Sequence, residues 1–237
     1  MNKVEFKKIL LQEASENDIQ ISEDAVDKFY LYMDNLIDWN QKINLTAIKD
    51  EKEIIIKHFI DSILINKYVE GDRLLDIGSG AGFPGIPLKI INDDLCVTLI
   101  DSVNKKVNFM KDSIDKMCLE NIDALHVRAE DLAHEKAYRE QFDIVVSRAV
   151  ANMTTLVEYM IPFVRVGGKC LCLKGPNCEE EINLAKNAIR KLGGKIEDVI
   201  EYRVDDNDRC LVVINKIKNT EQTYPRKLGK PLKEPLQ

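Results

Sequence analysis

Long apolar runs are missing from this 237-residue chain: stretches such as 54–56 and 171–173 fall far short of the roughly 20 residues that cross a bilayer. The first residues, MNKVEFKKILLQEASEN, mix charges of both signs into their apolar positions, which leaves no secretory signal core and points to a cytoplasmic protein. Glycine and proline are scarce, at 11 and 7, so neither a collagen-like nor a low-complexity chain is in question. The six cysteines form no CxxC pair, and His58, His126 and His134 are dispersed, so no metal site is expected and the thiols read as reduced and buried. His58, on a predicted helix, reads as a packed residue. An excess of basic residues is absent too, and a net charge of -6 argues against a broad nucleic-acid footprint, because phosphate neutralisation requires one.

That average hides an asymmetry. Residues 1–70 carry nine Lys or Arg against fourteen Asp or Glu, whereas residues 216–237 carry six against two. The first seventy residues read as helices over 4–14, 23–39 behind the N-cap candidate Ser22, and 50–68, with Phe29, Leu31, Met33, Leu36 and Ile37 near helical spacing. From Arg73 the texture changes to short apolar runs: RLLDI, CVTLID, ALHV, FDIVVS, KCLCLKG, KIEDVIEYRV and RCLVVINKI. Helical patterns at 105–117, 153–165 and 179–192 serve as crossovers, so most strands should run parallel. Only Asp205, Asp206, Asn207 and Asp208 separate the last two runs, which predicts an antiparallel hairpin. Cys170 and Cys172 alternate with Leu171 and Leu173, which puts both sulfurs on one face of a strand, in the core.

The expected architecture is therefore α/β: a seven-stranded, mostly parallel sheet with an antiparallel last strand, similar to the Rossmann-like methyltransferase fold. Residues 1–70 would form an N-terminal helical cap and 71–218 the core. Residues 219–237, with three prolines in QTYPRKLGKPLKEPLQ, would form an extended basic tail.

The sharpest motif is LLDIGSGAGFPGIPLKI, where a strand ends at Asp76 and Ile77, Gly78, Gly80 and Gly82 follow, and a helix begins near Pro84. Glycine permits a tight turn and lets backbone N–H groups approach a ligand at the carboxyl end of the strand. Gly80, Gly82 and Gly85 also satisfy the dinucleotide pattern GxGxxG, which keeps an NAD-dependent oxidoreductase open. S-adenosyl-L-methionine is preferred, because DxGxGxG is similar to the first motif of methyltransferases. Pro84 moreover removes an N–H that a pyrophosphate would need. The second strand ends in Asp101, nineteen residues after Gly82, a spacing suited to a carboxylate that meets ribose hydroxyls. Ala129 and Glu130 lie where methyltransferases of this fold present a backbone N–H and an acid to adenine. Strand four ends at Ser147 and Arg148, at the ligand edge.

The acceptor is narrowed by what strand four lacks. Ser147, Arg148, Ala149 and Val150 stand where exocyclic-amine methylases carry Asp/Asn-Pro-Pro-aromatic, and no cysteine follows a proline as carbon-5 methylation would require. An acceptor with a free lone pair remains, such as guanine N7 or a small-molecule heteroatom. Catalysis would then rest on in-line positioning without a general base, with Arg148 and Lys174 as positioning groups.

KINLTAI at 42–48, HFIDS at 58–62, DIGSGAGFPGIPL at 76–88, RAED, SRAVA at 147–151, LKGP at 173–176 and TYPRKLGKPLKEPL near the end together resemble the RsmG (GidB) family, bacterial 16S rRNA guanine-N7 methyltransferases. The resemblance covers nearly the whole chain. It implies cofactor contacts at Gly78, Phe83, Ala129, Glu130 and Arg148. It also implies 16S rRNA or the small ribosomal subunit as partner, rather than DNA or a membrane, with Lys42, Asn44, Arg226, Lys227 and Lys230 as candidate RNA contacts. A monomer is expected. A small-molecule methyltransferase would share the cofactor site but have little use for the basic tail.

Overall fold

The computed structural model describes residues 1–176 and 178–236. Helix α1 (Lys3–Glu16) begins where the Asn2 side chain accepts the Glu5 N–H, and α2 (Glu23–Asn40) where Ser22 accepts the Ala25 N–H. After α3 (Glu51–Ile54) the chain widens into a π-helix, Ile55–Ile60, then passes through α4 (Asp61–Ile63) and a 3₁₀ turn, Leu64–Tyr68. The alternating half follows: β1 (Arg73–Ile77), α5 (Gly85–Ile91), β2 (Cys96–Asp101), α6 (Asn104–Lys116), β3 (Ile122–His126), α7 (Ala129–Leu132) and β4 (Phe142–Arg148). It continues with α8 (Met153–Met160), β5 (Val164–Lys174), α9 (Glu179–Leu192), β6 (Gly194–Val204), β7 (Asn207–Lys216) and, in the tail, α10 (Lys230–Lys233).

The seven strands form one sheet in the order β3-β2-β1-β4-β5-β7-β6. Pairs from β3 through β5 are parallel, and β7 runs antiparallel to both β5 and β6. Strand order reverses between β1 and β4, so their carboxyl ends flank the crevice in which open sheets of this kind bind ligands.

Alternation along each strand sorts the core into two layers. Leu74, Val97, Leu99, Val146, Leu171 and Leu173 share a layer with α5, α6 and the N-terminal helices, while Leu75, Ile77, Val145, Cys170 and Cys172 share one with α8 and α9. Burial pushes the Cys172 thiol up to about 12, which keeps it neutral and unreactive. On the first layer Tyr32 stacks on Phe59 at 5.4 Å and on Phe109 at 6.2 Å, and packs tilted against Phe83 at 5.5 Å. Each such pair adds about 0.5–1.5 kcal/mol beyond area burial. Aromatic packing thus locks the helical segment to the glycine-rich turn, and the Tyr32 hydroxyl donates to the Ala81 carbonyl inside that turn.

Four expectations are corrected. The helix expected over 153–165 stops at Met160, because Pro162 in the following 3₁₀ turn has no N–H to continue the ladder, and Val164 already belongs to β5. The hairpin turn is Asp205 and Asp206 alone, with Val204 paired to Asn207. The thiols are not all reduced and buried: Cys178 and Cys210 are disulfide-bonded, and Cys96 and Cys118 are exposed. The tail is not merely extended. It packs on the second layer and contains α10.

What holds the tail is a set of buried polar contacts. Arg139 donates to the carbonyls of Ala133, Thr220, Glu221 and Tyr224, which tethers the chain just after β7. Glu158, fully buried on α8, accepts from the Arg226 backbone N–H at 2.7 Å and from its guanidinium Nε and Nη2. Removing one partner of such a pair leaves an uncompensated buried charge. Arg226→Ala should therefore lower unfolding stability by about 3 kcal/mol in urea, and Arg226→Ala combined with Glu158→Gln should recover part of that deficit. Unchanged stability in the single variant would contradict this anchoring of the tail.

Candidate active site

The glycine-rich turn after β1 is shaped by two carboxylates beneath it. Asp76 is fully buried and its Oδ2 accepts the Gly85 N–H at 2.9 Å, while Asp101 Oδ2 accepts the Gly80 N–H at 3.0 Å. Gly78 lies at φ 68, and a Cβ there would meet the Val150 side chain at 2.5 Å, so only glycine lets the turn approach the end of β4. Gly82, at φ 88, would likewise drive a Cβ into Ile86 and the Tyr32 hydroxyl. Ser147 closes the crevice floor by donating to the Ile77 carbonyl at 2.9 Å.

Above this floor a cleft of about 340 Å³ is lined by Gly78 of the turn, Asp101 and Lys106 from the end of β2 and start of α6, Ala129 and Glu130 of α7, Ala149 and Val150 after β4, and Tyr159 of α8. Asp101 is held by the N–H groups of Gly80 and Val103, which fixes the carboxylate against the cleft. Glu130 accepts the Gly229 N–H of the tail at 3.2 Å. Two carboxylates, which accept hydrogen bonds and carry negative charge, together with the N–H of Ala129 at a helix start without an intrahelical acceptor, fit a cationic nucleoside cofactor.

A second cavity, of about 310 Å³, meets the cleft at Ala149 and is lined by Lys57, His58 and Asp61, by Arg148 and Lys174, and by Tyr202 and Arg209. Ala149 itself has φ 58, a left-handed conformation uncommon outside glycine, at the point where the two spaces join. Arg148 is the hub of this cavity. It donates to Asp61 Oδ2 at 2.8 Å and to the Lys57 carbonyl at 3.3 Å, and lies over the Phe83 ring at 4.9 Å. A guanidinium cannot accept, so the 3.2 Å contact with His58 Nδ1 requires that nitrogen to carry the lone pair. The proton then sits on Nε2, directed at Thr46 Oγ1 2.7 Å away. Burial, with Arg148 beside it, pushes His58 down to about 3, so the ring is neutral at physiological pH. Asp61 also receives the Tyr202 hydroxyl at 3.1 Å. The π-helix presents Lys57 and His58 to the guanidinium, with Asp61 just beyond it; such wide turns recur at functional sites.

The candidate residues named from sequence divide by position. Gly78, Asp101, Ala129 and Glu130 line the cleft, whereas Asp76, Gly80, Gly82 and Phe83 lie behind it and shape the turn. Arg148 and Lys174 line the second cavity, where Lys174 donates to the Ala151 carbonyl at 3.0 Å and pairs with Glu181 at 2.7 Å. Lys42 and Asn44 line a recess beside the cleft, and Lys227 and Lys230 stand exposed in the tail. Arg226, named as an RNA contact, turns inward to Glu158 instead. His58, Asp61, Tyr202 and Arg209 were missed as site residues; HFIDS was visible as a motif, but nothing local marks its partner as a residue some ninety positions away.

A seven-stranded sheet of this order, with its glycine-rich turn and acidic cleft, defines an S-adenosyl-L-methionine-dependent methyltransferase. The fold superposes on a crystal structure of a SAM-dependent methyltransferase from Aquifex aeolicus with TM-score 0.52 at 19% identity, over 70% of this chain and 93% of that one. The family model for rRNA small subunit methyltransferase G, GidB, matches residues 25–210. The chain is 48% identical to ribosomal RNA small subunit methyltransferase G of Clostridium perfringens over 92% of its own length and 93% of the relative's. It is 46% identical to the protein of that name from Acetivibrio thermocellus, over 98% of each. The chain therefore belongs to the rRNA small subunit methyltransferase G family.

Burial raises Asp76 from the usual carboxylate range to about 7, against the Gly85 N–H and Arg148, which pull it down. A raised folded value means that the native state binds the proton more tightly than the unfolded chain. Its stabilising contribution is thus full below about pH 4 and is lost as pH rises through 7. Asp76→Asn should abolish that decline, so that the variant gains on the native protein between pH 4 and 7 by about 1.4 kcal/mol per pH unit at most. Urea unfolding at stepped pH measures it, and parallel curves for the two proteins would contradict the assignment.

Proposed function

We propose that the protein methylates N7 of one guanine in 16S rRNA, with the cofactor in the 340 Å³ cleft and the guanine in the cavity that meets it at Ala149. S-adenosyl-L-methionine supplies a methyl group on a sulfonium, which leaves as the neutral thioether. On the protein side, Gly78, Gly80 and Gly82 keep the turn open to the methionyl end, Asp101 accepts from ribose hydroxyls, and the Ala129 N–H with Glu130 reads adenine. Phe83 and Asp76 act from behind, holding Arg148 and the turn in place.

The observation that carries the choice of acceptor atom is the absence, among the described residues lining the second cavity, of a group poised to take a proton. Asp61 is occupied by Arg148 and Tyr202, His58 Nδ1 by Arg148, and burial followed by Asp61 raises Tyr202 above the ordinary phenol range. An exocyclic amine must give up a proton during methylation, whereas ring N7 brings its own lone pair. Catalysis then lies in holding N7 on the line between the two spaces, a proximity effect that can supply up to roughly 7–11 kcal/mol. Arg148 and Lys174 position the base and its O6, because Arg and Lys are the usual partners of guanine acceptors. Asp61 offsets the positive charge that N7 acquires. Lys42, Asn44, Lys227 and Lys230 are assigned to RNA, and the protein is assigned to the cytoplasm as a monomer.

The test supplies labelled cofactor and small ribosomal subunits lacking the modification, then maps the label by mass spectrometry of nuclease fragments. The expected product is one N7-methylguanine. Arg148→Ala should lower kcat at least a hundredfold with S-adenosylhomocysteine binding retained within a fewfold, on the scale of removing a charged positioning group of about 3 kcal/mol. Label on an exocyclic nitrogen, or none on subunits and naked rRNA, would overturn the reading.

A further inference from the structure

We infer that the recess formed by Lys42, Asn44, Val103, Lys105 and Lys106 is a seat for a backbone phosphate of the RNA strand that carries the target base, an inference that rests on the proposed rRNA activity. The recess measures about 380 Å³ and lies between the loop after α2 and the start of α6. Its lining contains three lysines and no carboxylate, in a chain whose net charge is -6. Among the described residues Lys42 and Lys105 are exposed and make no ion pair, and Lys106 reaches only Asp101, at 3.8 Å. Three ammonium groups around one concavity repel one another, and an anion is the ligand that reverses the sign of that energy.

The cofactor is not that anion. It bears no phosphate and carries a sulfonium, and its cleft is furnished with Asp101 and Glu130 instead. Position supplies the rest. Val103 and Lys106 line both the recess and the cofactor cleft, so the two adjoin. The loop that walls the recess continues directly to the acceptor cavity, since Thr46 bonds His58 and Ile48 lines that cavity. The six steps along the chain from Lys42 to Ile48 span about 20 Å at most, a distance that a few nucleotides cover. Asn40 makes the loop a rigid platform: its Oδ1 accepts the N–H groups of Leu45 and Thr46, and its Nδ2 donates to the Thr46 carbonyl. A phosphate in the recess would therefore fix the strand at a set distance from the base being methylated. Lys105 and Lys106 join Lys42 and Asn44 in one subsite, distinct from the tail.

The full-length Lys42→Gln, Lys105→Gln double variant tests this against an unmodified 16S rRNA fragment, with Lys8→Gln, Lys186→Gln as the charge-matched control on α1 and α9. The expected result is a salt dependence of RNA binding whose log–log slope is shallower by about 1.4 to 1.8, at 0.7 to 0.9 for each lysine that no longer neutralises a phosphate. KM for RNA should rise about tenfold with kcat nearly unchanged, and the thermal shift from S-adenosylhomocysteine should stay as in the native protein. An active native enzyme with a double variant whose slope and KM match it, or with equal effects in the control, would overturn the phosphate seat alone. A native protein that neither binds nor methylates the RNA would overturn the functional reading and the seat with it.

Discussion

The contact between Arg148 and Asp61 is the constraint on which the rest of the site depends. Arg148 leaves the sheet at the carboxyl end of β4, and Asp61 belongs to the N-terminal helices, so their 2.8 Å bond joins the two halves of the chain at that edge of the sheet. Both groups are largely withdrawn from water, which is costly unless the geometry is good and further hydrogen bonds complete each charge. Here they are completed: Tyr202 and Arg148 satisfy Asp61, while Lys57, His58 and Phe83 surround the guanidinium. The consequence is a fixed wall between turn and acceptor cavity rather than a mobile side chain. It also explains the neutral His58, which serves the guanidinium as an acceptor and could not do so if protonated.

Charge is sorted by place, and the sorting follows the chemistry. Acidic groups, Asp101 and Glu130, line the cleft proposed for a cationic cofactor; basic groups line the spaces proposed for a nucleotide, at Lys57, Arg148, Lys174 and Arg209 in the cavity and at Lys42, Lys105 and Lys106 beside the cleft. The net charge of -6 therefore describes the distant surface more than the working edge. The tail contributes less charge than its composition suggests, since Arg226 is consumed by Glu158 and Lys230 lies 3.8 Å from Glu234. Its Gly229 N–H, bonded to Glu130, ties it to a residue that lines the 340 Å³ cleft.

Features set by local chemistry were legible before the fold was known. Short apolar runs separated by helical patterns marked all seven strands, and the glycine spacing with its flanking Asp76 and Asp101 marked the turn. Features set by contacts between distant residues were not. The π-helix has no composition of its own, and His58 and Asp61 look like ordinary helix residues until Arg148 arrives from about ninety positions away. Arg226 was misleading for the same reason: a basic residue between prolines reads as a free tail, and only α8 shows that a buried carboxylate waits for it. Cys178 and Cys210, 32 residues apart, carry no spacing signal for their bond.

In the proposed reaction one guanine and one cofactor share the junction at Ala149, with Arg148 as the wall between them. A crystal structure with S-adenosylhomocysteine and guanosine monophosphate tests it most directly. The expected structure has the thioether sulfur at Ala149, facing a base held among Arg148, Lys174 and Tyr202 with N7 toward the sulfur. A base bound outside that cavity, or a sulfur turned toward Lys106, would contradict it.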